Sequence, residues 1–189
     1  MATIWDQNGP FQAVTVPSGT YFLQYGNYFD RNLNFFGNQL PVTSGYLIVG
    51  QSAIPASVTG TTSEATLATI SIPAGRMGPN GRLRVWALVS ATNNANAKTL
   101  NIRLDGTLMN AGQSLANAAS FQGMSVISNR GATNSQISNG SLAFSNTSAT
   151  NVATAIDTTQ TQSLTITGTL GTSSDTLTLE AWGVEALNP

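Results

Sequence analysis

A chain of 189 residues with 41 % hydrophobic side chains has the material for one domain of ordinary size with a real core. It contains no Cys and no His, which excludes disulfides, thiolate metal sites and histidine-based proton transfer. Seven Lys or Arg stand against eight Asp or Glu, so neither nucleic acid nor an anionic membrane is attracted by net charge.

The start, Met-Ala-Thr-Ile-Trp-Asp, has neither a basic stretch nor an apolar one, which predicts synthesis in the cytoplasm without export. Ten of the fourteen aromatic residues then fall in the first 46 positions: Trp5, Phe11, Tyr21, Phe22, Tyr25, Tyr28, Phe29, Phe35, Phe36 and Tyr46. They are mixed with Asn, Gln and Gly and follow no sustained period. Phe11–Val16 and Tyr46–Val49 read as short strands and Gly26–Gly37 as loop. Aromatics are enriched at interface cores, so this segment is expected to be an arm that contacts a neighbouring copy or anchors the chain on a larger structure. The arm is taken as residues 1–56.

From residue 57 onward, strand follows strand. Leu67–Pro73 alternates and stops at Pro73-Ala-Gly75. The Pro79-Asn-Gly81 turn leads into Arg82–Val89, which carries Leu83, Val85, Ala87 and Val89 on one face. Its other face bears Arg82, Arg84, Trp86 and Leu88, the pattern of a central strand. Leu100, Ile102 and Leu104 point in while Asn101 and Arg103 point out, and Asp105-Gly106 turns the chain. Phe121–Ile127, Ser141–Phe144 and Asn151–Ile156 are weaker strands, and Ser114–Ala119 allows at most one helical turn. Gln162–Leu170 alternates cleanly. Asp175–Leu187 carries Leu177, Leu179 and Ala181 on one face and Trp182, Val184 and Ala186 on the other, with a bulge or bend expected near Gly183. About eight strands without an amphipathic helix predict an all-β fold, a jelly roll or related antiparallel β-sandwich, over residues 57–189.

Carboxylates are the remaining acid–base groups. Asp175, Glu180 and Glu185 lie on one strand, with Asp157 in the preceding loop. At about 3.3 Å per residue, Glu180 and Glu185 sit about 16 Å apart on opposite faces, too far for a glycosidase pair. They read instead as solvated charges or as partners for Arg82, Arg84 and Arg103. Asp105 and Asp157 lack the acid density of a calcium loop and read as turn formers. Gly75–Gly81 has no Lys-Ser/Thr and no following helix, so it is no phosphate loop. The sequence therefore predicts no catalytic, metal or cofactor residues. Arg84 and Arg103 are expected on one sheet face with Glu180 across from them, as charges that select a neighbouring subunit.

Six stretches carry a resemblance: Thr66–Gly75, Met77–Val85, Asn93–Leu100, Asn129–Gln136, Ala155–Thr159 and Asp175–Glu185. In this order they resemble a family of small virion proteins of tailed bacteriophages and span about two-thirds of the chain. The resemblance implies a β-sandwich or jelly-roll module, assembled as a homotrimer and mounted on a phage particle, with no catalytic residue carried over. Residues 1–46 fall outside it. The expected role is a non-enzymatic structural protein that decorates or cements the capsid, with the major capsid protein as partner. The alternative is a module of a tail or head fibre that binds a host surface glycan or protein, with Trp86 and Trp182 as the first contacts to test.

Overall fold

The structure is a computed structural model; it describes strand segments within residues 5–29 and then residues 45–110, 112–140 and 150–188. The chain divides into two units, Met1–Thr43 and Ser44–Pro189. In the first, β1 (Trp5–Asp6) pairs with β2 (Gly9–Pro10), and β3 (Gln12–Val16), β4 (Gly19–Gln24) and β5 (Asn27–Phe29) form an antiparallel meander. The register sets Val14 opposite Tyr21 and Phe22 opposite Phe29. β5 takes up part of the stretch expected as loop. Trp5, Tyr21, Phe22, Tyr28 and Phe29 are strand positions, whereas Phe11, Tyr25, Phe35 and Phe36 lie outside the described residues.

The second unit is an antiparallel β-sandwich, and no helix occurs among the described residues. One sheet is built from β6 (Gly45–Ser52), β7 (Ala56–Thr59), β9 (Arg82–Ala91), β13 (Ser120–Asn129), β14 (Gln136–Ser138), β15 (Val152–Thr154) and β17 (Thr176–Asn188). The other contains β8 (Ala65–Ile72), β10 (Lys98–Leu104), β11 (Thr107–Leu108), β12 (Gln113–Ser114) and β16 (Gln162–Leu170). The boundary expected after residue 56 falls at the start of β7, and β6 already pairs with β17.

Period-2 alternation builds the core. Leu83, Val85, Ala87 and Val89 of β9 face Leu100, Ile102 and Leu104 of β10 and Leu164 and Ile166 of β16, and none of these is solvent-exposed. Strands that alternate this cleanly have one register that buries the apolar set, since a slip of one residue would turn it outward. β9 is central as expected, flanked by β13 and β17, but only one of its faces is covered, since Arg82 and Leu88 on the other are exposed. The Asp105-Gly106 turn joins β10 to β11 with φ values of 46° and 75°; positive φ at both central residues is the hairpin geometry that Asp-Gly favours.

One expectation is met and another requires correction. The register of β17 shifts against β6 between Val184 and Glu185, beside Gly183 as expected, and it also shifts against β9 between Leu179 and Ala181, where Glu180 is an extra residue. That extra residue restores parity, so Leu177, Leu179, Val184 and Ala186 all enter one core and Trp182 packs against it. The strand stays in one sheet. Arg84 and Arg103 also part company: alternation places each outward on its strand, but β9 and β10 belong to different sheets. The helical turn allowed at Ser114–Ala119 is replaced by a short strand and turns, and Ser141–Phe144 lies outside the described residues.

Candidate functional site

Three polar constructions and one cleft organise the surface of the sandwich. On the outer face of the smaller sheet, Arg103 donates to Glu64 through Nε at 2.9 Å and Nη2 at 2.8 Å. Asn101 Nδ2 donates to the same carboxylate at 3.1 Å, and the Thr167 hydroxyl donates as well. The Arg103 hydrogen bonds, joined by that of Thr167, hold Glu64 at about 2 against an ordinary 4.5. The folded pKa is depressed, so the stabilisation is complete above about 4.5 and is lost as pH falls toward 2. The pair is a third exposed, and solvent screening limits it to about 1 kcal/mol. Melting curves of Glu64→Gln are therefore expected to flatten relative to wild type between pH 4.5 and 2; parallel curves would refute the linkage.

The second construction is buried. Lys98, the only lysine in the chain, opens β10 with no solvent exposure. Its ammonium donates to Asn94 Oδ1 at 2.7 Å and to the Asn96 carbonyl at 2.8 Å, and lies 3.8 Å from Asp175 Oδ2. Asp175 accepts in turn from Asn94 Nδ2 at 2.7 Å and Asn96 Nδ2 at 3.0 Å. These bonds, Asn94 foremost, hold its carboxyl below the usual range. The polar loop Thr92–Ala97 is thus pinned to the turn before β17.

The third joins four stretches at once. Asn129 Nδ2 donates to the Gly78 carbonyl and to Thr158 Oγ1, both at 2.9 Å, and to the Met77 carbonyl at 3.2 Å. Gln136 Nε2 donates to Asn129 Oδ1 at 2.8 Å, while Gln136 Oε1 accepts from the Ile156 N–H at 2.8 Å. Buried carbonyls of the Pro79 turn thereby find the partners that burial requires. Five segments supply these two clamps: Met77–Val85, Asn93–Leu100, Asn129–Gln136, Ala155–Thr159 and Asp175–Glu185.

The remaining acids are likewise engaged. Asp105 Oδ1 accepts from the Ser163 N–H at 2.8 Å. Asp157 accepts from the Thr159 hydroxyl at 2.6 Å and its N–H at 3.0 Å, which lowers its pKa. Glu180 accepts from the Ser90 hydroxyl rather than facing the arginines. Glu185 pairs with Arg84, whose Nε donates at 2.7 Å. Among the described residues no three acidic side chains gather as a metal site.

The cleft lies along β17 of the larger sheet, where β6 ends. Register places Trp86 of β9 beside Gly183 of β17, and Gly183 beside Gln51 of β6. A Cβ on Gly183 would run into the indole of Trp86, so the ring lies over the glycine and is left half-buried. Trp182 packs on the opposite side of the strand, with its ring 3.4 Å from where a Cβ of Gly50 would stand. Gln51, Ser52, Ala53, Ile54, Ala181 and the two tryptophans line a cleft of about 520 Å³. Ile54 stands 80 % exposed at its rim. Sequence reasoning found the tryptophans but not Gln51 or Ile54, because the pairing of β6 with β17 brings in the first and the loop between β6 and β7 the second.

No family model and no curated protein matches the chain. Among solved structures it is similar to the EclA C-terminal domain, a sugar-binding protein, at 7 % identity and TM-score 0.36, over 76 % of this chain and 79 % of that one. It is also similar to dimeric latent PorU of Porphyromonas gingivalis, at 8 % identity and TM-score 0.36, over 98 % of this chain and 19 % of that one. A structure of infectious bursal disease virus, Gt strain, matches at 11 % identity and TM-score 0.34, over 94 % of this chain and 43 % of that one. The chain thus spans less than half the length of two of the three.

Proposed function

We propose that this chain is a non-enzymatic structural protein of a tailed-phage virion, made in the host cytoplasm and decorating or cementing the capsid. The observation that supports it is the employment of the acids. Each of the six carboxylates in the sandwich, Glu64, Asp105, Asp157, Asp175, Glu180 and Glu185, is held in a hydrogen bond to its own fold. General acid–base work needs a carboxyl positioned for a substrate, and in a chain without His or Cys there are few other candidates. In this reading the sandwich assembles as a homo-oligomer, a trimer as the resemblance implies. The aromatic segment, with Trp5, Phe11, Tyr21, Phe22, Tyr25, Tyr28, Phe29, Phe35 and Phe36, contacts the major capsid protein or an adjacent copy. Neither nucleic acid nor membrane is a partner. Arg84 and Arg103, each already paired, give an interface position more than net attraction.

The test is the place of the chain in an electron-microscopy map of intact particles. Copies spread over the capsid lattice are expected; copies confined to the tail would overturn the reading. Removal of residues 1–43 should leave a folded sandwich that no longer binds particles. A second reading, a receptor-binding module of a tail or head fibre, is favoured by one feature, the tryptophan-lined cleft.

A further inference from the structure

We propose that the cleft over Gly183 is a binding site for a neutral saccharide, with Trp86 as the stacking platform. The inference deepens the receptor-binding reading and rests on it. A pyranose presents an apolar face of C–H groups and a rim of hydroxyls, so its site needs a flat aromatic surface beside neutral hydrogen-bonding groups. The cleft has both. The indole of Trp86 is carried by a central strand and seated on a glycine, which fixes its plane without covering it completely. Gln51, exposed on β6 on the far side of Gly183 from Trp86, offers a carboxamide that both donates and accepts. The Ser52 hydroxyl accepts from the Ile54 N–H at 3.0 Å, which leaves its proton to donate. A volume of about 520 Å³ lies within the range of small-ligand sites.

Electrostatics select the class. Arg84 is bonded to Glu185 and Glu180 to Ser90, so the charges nearest the cleft are already satisfied on the same face. An acidic sugar would find no uncommitted cation among the residues that line it. Ile54, apolar and in water, gains by being covered on ligand binding.

The experiment is a titration of the full chain with methyl glycosides of glucose, galactose, mannose and N-acetylglucosamine, and with glucuronic acid. Tryptophan fluorescence and saturation-transfer NMR are the readouts. At least one neutral glycoside is expected to saturate with Kd on the order of 1 mM, with glucuronic acid weaker. Trp86→Ala should weaken binding at least about tenfold, while Trp86→Phe retains it within about threefold. Should Trp86→Ala fail to fold by circular dichroism, Gln51→Ala and Ile54→Ala carry the test, each expected to cost about threefold. Absence of saturation by every neutral glycoside, or affinity unchanged in these variants, overturns the inference. Specific adsorption to host cells without saccharide binding would leave the receptor-binding reading standing with a protein receptor, and this inference would fall alone.

Discussion

Lys98→Met is expected to destabilise the sandwich by about 3–5 kcal/mol, because it breaks a buried charge network from one side only. Methionine fills the volume of the lysine stem, so the loss is electrostatic and not a cavity effect. What remains is Asn94 Oδ1 and the Asn96 carbonyl without their donor, and Asp175 without the ammonium 3.8 Å from it. In thermal denaturation the melting temperature should fall by about 10 °C. The acid limb gives an independent check. The Asp175 carboxyl is depressed in the folded state, so its contribution is present at neutral pH and is lost as pH falls through the folded value. Removing the ammonium raises that folded value, and the loss should begin at higher pH in the variant. A second measurement uses the wild type alone. Because the sole lysine has no solvent exposure, amine acylation should leave Lys98 unmodified until the protein is denatured. Rapid native acylation, or a Lys98→Met variant as stable as wild type, would show that the pair is not a clamp.

That lysine also illustrates what the sequence made legible. Lys98 has the same parity as Leu100, Ile102 and Leu104, so alternation alone aims it at the core. Its polar neighbours disguise the fact by reading as a solvated loop. The core faces of β8, β9, β10 and β16 follow from period-2 patterning because each strand is half covered and a register slip is costly. Parity does not say which sheet a strand joins, and for that reason Arg84 and Arg103 were expected on one face. The shift of β17 against β9 falls at Glu180, with no Gly or Pro to announce it. Gly183 stands beside the shift against β6 and also makes room for Trp86. The cleft was legible only in its tryptophans, since its other wall depends on how the Ser52–Ala56 connection leaves the sheet.

The same parity rule points to Asn129, which ends the inward series Gly123, Ser125, Ile127 of β13. Asn129→Leu is expected to cost about 3 kcal/mol, since a buried polar partner left without its hydrogen bond costs about 1–3 kcal/mol. Leucine nearly matches the volume but leaves the Met77 and Gly78 carbonyls and the Gln136 amide short of a partner. Those groups lie on separate loops, so the loss should appear locally as well as globally. Amide exchange is expected to accelerate at Gly81 and Thr158 before the core strands open. Ser125→Ala is the control on the same strand. Its hydroxyl is buried and has no hydrogen-bond partner among the described residues, so its removal should be neutral or slightly stabilising. If Asn129→Leu proves as mild as Ser125→Ala, the Thr158 hydroxyl and the Gly81 N–H, which also donate to the Met77 and Gly78 carbonyls, hold the Pro79 turn without it.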